Sequence, residues 1–170
     1  MIEPLDEAET TERIVQFLRD IGLEVKDAVL ADDCFLPGIR ITQGGLQVDR
    51  QRLRWPGDLL HEAGHLAVVP AALRSGMDDA LEDLPAVEHG GEMEATAWAW
   101  AALSHLQLPA HVLFHDGGYR GHAAGLRLNF EMGVYLGVSG LVQAGLAWPP
   151  YPARADEAPV YPQLRCWLRS

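Results

Sequence analysis

Cysteine is scarce in this 170-residue chain, and so are long apolar segments. Cys34 and Cys166 are too few and too far apart to indicate a disulfide framework or a zinc ribbon, so we expect reduced thiols. No run of eighteen or more apolar residues occurs, and the first twenty residues are acidic and polar. The sequence therefore predicts neither a membrane span nor a secretory signal, which favours a cytoplasmic location.

Lysine and arginine are absent from Ser75 to Tyr119, a segment that carries eight carboxylates and four histidines. The formal net charge of the whole chain is -11. Because affinity for nucleic acid depends on neutralising phosphates with Lys and Arg, we expect no nucleic-acid partner.

The length and the 48% hydrophobic content are sufficient for one domain with a real core. We expect a single domain over residues 1–170, with the core at about residues 38–147. A proline-rich segment at 149–170 is expected to wrap around the domain or to form a flexible end.

The pentad His61-Glu62-Ala63-Gly64-His65 has two imidazoles four residues apart. On an α-helix, residues i and i+4 lie one turn apart on the same face, so His61 and His65 can each offer a nitrogen to one ion. Glu62 lies about 100° around the helix from His61 and is placed to hold the attacking water. The pattern predicts a catalytic zinc site.

The flanks of the pentad predict the helix that such a site needs. Pro56 suits the first helical position and Pro70 ends the segment. An apolar stripe faces away from the histidines and predicts a core helix that presents one polar face to a cleft, with the members Leu59, Leu60, Ala63, Leu66 and Ala67.

A catalytic zinc ion usually has three protein ligands and one open position. Residues 90–106 predict an alanine-rich, buried helix that opens with Glu92 and Glu94. Carboxylates at the entrance of a buried helix are costly without a compensating charge, which a zinc ion would supply. We take Glu92 as the third ligand and keep Glu94 as the alternative.

Residues 39–48 alternate in period two on both sides of Gly44-Gly45, which predicts a β-hairpin. Such a strand beside a metal helix offers an edge to which an extended peptide can add. The expected fold is therefore α+β, with a small antiparallel sheet packed against the pentad helix and the buried alanine-rich helix.

The order of hairpin, His-Glu-x-Gly-His helix and Glu-x-Glu-Ala-x-x-aromatic-Ala helix resembles the ImmA/IrrE-type metallopeptidases, a zincin-like family within the gluzincins. The resemblance covers roughly residues 38–108. It implies that Glu92 completes the zinc site and that an asparagine commonly stands four residues later, where this chain has Thr96. It also implies partnership with transcription factors in some members.

A second polar cluster follows Pro109 and includes His115, Tyr119 and His122. Sites of this class recruit a side chain from outside the metal motif to stabilise the oxyanion of the tetrahedral intermediate. These three residues are our catalytic candidates beside Glu62, and Asp116 is a minor alternative ligand.

The predicted activity is zinc-dependent hydrolysis of a peptide bond, with His61, His65 and Glu92 as ligands and Glu62 as general base. The expected partner is a peptide or protein substrate. Two alternatives stay open: a non-catalytic domain that senses metal or docks a regulatory protein, and a metal-free structural domain that retains the pentad.

Overall fold

The computed structural model describes residues 6–79, 91–150 and 157–170. The chain begins with helix α1 and continues through three strands into a run of helices. The helices are α1 (Glu7–Asp20), α2 (Gly57–Val68), α3 (Ala71–Arg74), α4 (Glu92–His105), α5 (Ala110–Leu113), α6 (Ala123–Glu131) and α7 (Val138–Gln143); the strands are β1 (Val25–Asp27), β2 (Ile39–Thr42) and β3 (Gly45–Val48). A short 3-10 turn spans Tyr119–Gly121. The α+β class is confirmed.

The sheet is mixed, so the expectation of a purely antiparallel sheet is wrong. Strands β2 and β3 form the predicted antiparallel hairpin, with Ile39 opposite Val48. Strand β1 adds to the other side of β3 in parallel, with Val25 opposite Leu46. The three residues of β1 are too short a run to show the alternation that reveals a strand.

The hairpin turn is centred one residue earlier than Gly44-Gly45. Gln43 (φ 49°) and Gly44 (φ 74°) are the two central residues, and Gly45 begins β3. Two consecutive positive φ angles are typical of the tight turns whose twist matches that of paired strands.

The free edge of β2 is covered by its own chain. The outward backbone N–H groups of Ile41 and Gln43 donate to the carboxylates of Asp79 (2.6 Å) and Asp78 (2.9 Å). The N–H of Ile39 donates to the carbonyl of Leu36. The donors that an added strand would use are therefore occupied, which also protects the edge against aggregation.

Helices α2 and α4 form the centre of the molecule. The predicted apolar stripe of α2 is fully buried, and α4 buries most of its alanines together with Trp98. The two helices are in close contact where Gly64 meets Ala95. This contact fixes the distance between the pentad and the first turn of α4.

Helix α1 and the end of the chain cover this helical pair. Ile14 and Leu18 are fully buried in the same core, and Trp167 packs against it. The carbonyl of Trp167 accepts a hydrogen bond from Trp98 Nε1 (2.8 Å), and the hydroxyl of Tyr161 donates to the carbonyl of Ala97 (2.8 Å). The described part of the C-terminal segment thus contacts the core through Tyr161 and Trp167.

Over residues 6–79, 91–150 and 157–170, no helix has both the length and the apolar composition needed to cross a bilayer.

Candidate metal centre

His61, His65 and Glu92 meet at the contact between α2 and α4. One ligand atom from each lies within 4.8 Å of the others. Nε2 of His61 is 3.1 Å from Oε2 of Glu92, and Nε2 of His65 is 3.3 Å from Oε1 of Glu92. The three side chains predicted as zinc ligands are therefore brought together by the fold.

The local structure explains why these three residues converge. His61 and His65 lie one turn apart on α2, and their rings meet edge-to-face with centroids 5.0 Å apart. Glu92 is the first residue of α4, and the close contact of Gly64 with Ala95 brings it within reach of both rings. Its side chain is 68% exposed, whereas those of His61 and His65 are 13% and 4% exposed, so the site opens to solvent on the Glu92 side.

Glu94 points to a different part of the molecule. Its side chain lies against Gly140 of α7 and Gly91, where a Cβ on either glycine would meet it. Glu94 does not belong to the cluster, so the geometry favours Glu92 between the two carboxylates.

Thr96 takes the position where the resembling family commonly has asparagine. Its hydroxyl donates to the carbonyl of Glu92 (2.7 Å), one turn back along α4, and the residue is fully buried. The threonine therefore supports the backbone of Glu92 rather than its carboxylate.

The pKa values of two carboxyl groups at this site, Glu92 and Glu62, are shifted in opposite directions. Hydrogen bonds from His61 and His65 hold the pKa of Glu92 well below its ordinary value. Burial raises the pKa of Glu62, and the nearby carboxylates of Asp58 and Glu92 act in the same direction against the two histidines. A carboxyl whose pKa is raised in this way is suited to accept and return a proton near neutral pH.

Tyr119 is the oxyanion candidate that reaches the site. Its ring lies edge-on to that of His61, with centroids 5.5 Å apart. Burial raises the pKa of Tyr119, and the charges of Asp58, Glu92 and Glu62 raise it further, so the hydroxyl stays protonated and can donate a hydrogen bond.

His115 and His122 lie elsewhere. Nε2 of His115 donates to Oδ1 of Asp58 (2.7 Å), and its ring stacks on Trp55 at 4.5 Å. His122 is exposed at the start of α6, and Asp116 is exposed in the preceding loop. Neither belongs to the metal cluster, and the catalytic assignments of His115 and His122 remain predictions.

Asp58 is a member of the site to which the sequence analysis assigned no ligand or catalytic role, although it lies on the polar face of the predicted helix. It is buried in the first turn of α2, and its charge acts on both Glu62 and Tyr119. The available signal was its spacing: it precedes His61 by three residues and His65 by seven, which places all three on one helical face.

Three buried side-chain polar atoms make no hydrogen bond in the part of the chain that the structure describes: Nδ1 of His61, Nδ1 of His115 and the hydroxyl of Tyr119. Two of them belong to neighbouring rings, those of His61 and Tyr119, whose centroids are 5.5 Å apart. Unsatisfied polar groups are rare in protein interiors and need an explanation when they occur close together. A solvent molecule or ligand beside these two rings would satisfy them.

The donor set fits a zinc ion. Two imidazole nitrogens and one carboxylate oxygen are the ligands of catalytic zinc sites that keep a fourth position open. The exposed Glu92 side leaves room for that position, and the carboxylate already lies between the two rings.

Comparison of the chain with protein-family models, with curated proteins and with solved structures finds no match.

Proposed function

We propose that this protein is a zinc-dependent peptidase of zincin-like fold, similar to the ImmA/IrrE type. The observation that carries the proposal is the meeting of His61, His65 and Glu92 within 4.8 Å, with the partly buried Glu62 on the helix of the two histidines. The residues that bind the ion and the residue that handles the proton are thus supplied by two packed helices, which hold them rigidly.

In the proposed reaction, His61, His65 and Glu92 hold the ion. A bound zinc ion supplies Lewis acidity, which polarises the scissile carbonyl and acidifies water. Glu62 orients the attacking water, accepts its proton and transfers that proton to the leaving amine. Tyr119 donates a hydrogen bond to the oxygen that becomes negatively charged in the tetrahedral intermediate. Desolvation raises the pKa of Glu62, which makes its carboxylate a stronger base for this transfer.

The proposal is tested by measuring zinc content and peptidase activity together in three proteins. The wild type should bind one zinc ion by equilibrium dialysis and cleave casein, and a chelator should abolish the cleavage. Glu62→Gln should keep the zinc and lose activity by at least about a hundredfold, because the general base is removed while the ligands remain. His65→Ala should lose both zinc and activity.

Each failure has a distinct meaning. Stoichiometric zinc binding by His65→Ala would contradict the ligand assignment. Zinc binding by the wild type without turnover of casein or of a broad peptide library would support a metal-sensing or regulatory domain instead. A wild type that binds no zinc would indicate a structural domain that retains the pentad.

A further inference from the structure

Asp58, one turn before His61 on α2, is hydrogen-bonded to His115, and this pair binds neither the ion nor the substrate in the reaction proposed above. The bonded atoms are 2.7 Å apart, and the two side chains are 12% and 8% exposed. A buried pair of this kind stabilises a fold only where its geometry is good, and the loss of one partner leaves an uncompensated charge. The pair also joins two parts of the chain that are 57 residues apart.

The ring of His115 is held from both sides. Trp55 lies parallel to it at 4.5 Å with an interplanar angle of 6°. Gly117 passes so close to Trp55 that a Cβ would overlap the indole, and a Cβ on Gly118 would lie 3.0 Å from the imidazole. Residues 115–118 are therefore clamped onto the residues that open α2.

The clamped segment leads directly into a strained one. Tyr119 (φ 55°) and Arg120 (φ 51°) both adopt the left-handed backbone conformation, which is uncommon for residues other than glycine. Such a conformation persists only where the surroundings over-determine it. Phe114 contributes through its ring contact with Tyr119 at 5.3 Å. The clamp on His115 supplies the other constraint.

We infer that the Asp58–His115 pair is a positioning device that holds Tyr119 in its strained conformation beside His61. The pair ties residues 115–120 to α2, the helix that carries His61, so Tyr119 is fixed relative to the metal cluster. The hydroxyl oxygen consequently stays buried near Thr96, and it makes no hydrogen bond of ordinary geometry within the described part of the chain. The use of that hydroxyl as an oxyanion donor rests on the proposed function, whereas the positioning itself does not.

The test follows the ring of Tyr119 by nuclear magnetic resonance. The chain has four tyrosines, so protein labelled with ¹³C in its tyrosine rings gives a small set of signals, and Tyr119→Phe assigns the one that disappears. His115→Phe keeps a ring on Trp55 but cannot donate to Asp58. His115→Gln is the matched control, because its side-chain amide nitrogen replaces Nε2 as the donor.

We expect His115→Phe to shift or broaden the Tyr119 signal while the other tyrosine signals stay in place, and His115→Gln to retain the wild-type position. A folded His115→Phe with an unchanged Tyr119 signal would overturn the inference. So would a His115→Gln protein whose signal moves as far as that of His115→Phe, since a retained donor to Asp58 would then not hold Tyr119 in place.

Asp58→Asn covers the case in which His115→Phe does not fold. This variant keeps the shape of the side chain and removes the charge. Because the amide binds His115 less strongly than the carboxylate does, the Tyr119 signal should shift or broaden. An unchanged signal would again overturn the inference.

A kinetic measurement separates this inference from the proposed function. In zinc-loaded protein that cleaves casein, His115→Phe should lower kcat by up to about a hundredfold with little change in KM, because a small displacement of a catalytic group is costly. The same substitution should cause no further loss in Tyr119→Phe protein. If the wild type cleaves nothing, the proposed function fails, and the Tyr119 signal still decides the positioning role.

Discussion

Gly64 of α2 lies against the backbone of Ala95 in α4, and a Cβ at residue 64 would stand 2.5 Å from the carbonyl oxygen of Ala95. A glycine inside a helix costs about 1 kcal/mol relative to alanine. The pentad tolerates this cost because no larger residue permits the approach that brings Glu92 to His61 and His65.

Gly64→Ala is therefore expected to separate α2 from α4. We expect the free energy of unfolding to fall by about 1–3 kcal/mol, as in other overpacked cores. The affinity for zinc should fall by about tenfold or more, since Glu92 is displaced from the two histidines. Urea unfolding and a competitive zinc titration measure the two effects.

The control is Gly125→Ala in α6. No atom outside its own helix lies within 4 Å of the position that a Cβ would take at Gly125. This substitution should leave zinc affinity unchanged and alter stability by no more than about +1 kcal/mol, the helix-propensity gain of alanine. Equal behaviour of the two variants would contradict the role of the Gly64 contact.

Glu92 and Glu94 provide a second matched comparison. Glu92→Gln should weaken zinc binding by more than about tenfold, because a charged ligand becomes a poor neutral one. Glu94→Gln removes the same charge from the same turn of α4, but its side chain lies against Gly140. It should bind zinc as the wild type does, and a loss of zinc in this variant would shift the third-ligand assignment to Glu94.

Much of the site was predictable because its ligands follow local rules. The i, i+4 spacing of His61 and His65 is set by the helix itself, and Pro56 and Pro70 delimit that helix. Glu92 was predicted because a carboxylate at the start of a buried helix is costly without a compensating charge. In the structure its carboxylate contacts His61 and His65. The hairpin followed from strict alternation of side chains around a glycine turn.

The rest depends on contacts between distant segments. Asp58 meets His115 only after α5 has packed against α2, and neither residue carries a local signal of the other. The carboxylates of Asp78 and Asp79 cap β2 from more than thirty residues away. Charged side chains that bond to backbone N–H groups have no periodicity, so the sequence indicated only an acidic segment there.

The partly buried carboxyl of Glu62 predicts a pH-dependent stability in the metal-free protein. Its pKa is raised above the ordinary value of 4.5. As pH rises from 4.5 to the raised pKa, the native state keeps a proton that the unfolded chain has lost, so the free energy of unfolding falls. Glu62→Gln has no such proton to lose.

The stability of the variant relative to the wild type should therefore increase as the pH rises above about 4.5. Urea unfolding of both proteins in a chelator, at intervals from pH 4.5 to 8, measures the difference. A constant difference across this range would contradict the desolvation of Glu62.

Asp79 predicts a smaller effect at the edge of the sheet. Asp79→Ala leaves the N–H of Ile41 without its acceptor, and we expect a loss of about 1 kcal/mol in the free energy of unfolding. Asp79→Asn retains a side-chain carbonyl and should keep most of the stability. Equal losses in the two variants would indicate that the charge of Asp79, which also lies 3.7 Å from Nε of Arg40, matters more than the cap.

Arg74 of α3 caps the C-terminal end of α2 and joins it to the C-terminal segment. Its guanidinium donates to the carbonyls of Leu66 (2.7 Å), Val69 (3.2 Å) and Arg169 (2.6 Å). The first two lie at the end of α2, where a helix leaves carbonyl groups without intrahelical partners. Arg74→Ala removes all three hydrogen bonds, so we expect the free energy of unfolding to fall by about 2–3 kcal/mol.

The matched control for Arg74 is Arg127, which forms an exposed i, i+4 ion pair with Glu131 at 2.9 Å. Arg127→Ala should cost only about 0.3–0.5 kcal/mol, because such pairs are screened by solvent and salt. Urea unfolding in low and high salt separates the two cases: the small effect at Arg127 should shrink further in salt, while the loss at Arg74 should persist, since its acceptors are neutral carbonyls. A loss at Arg74 that disappears in high salt would show that long-range charge, and not the end of α2, accounts for its contribution.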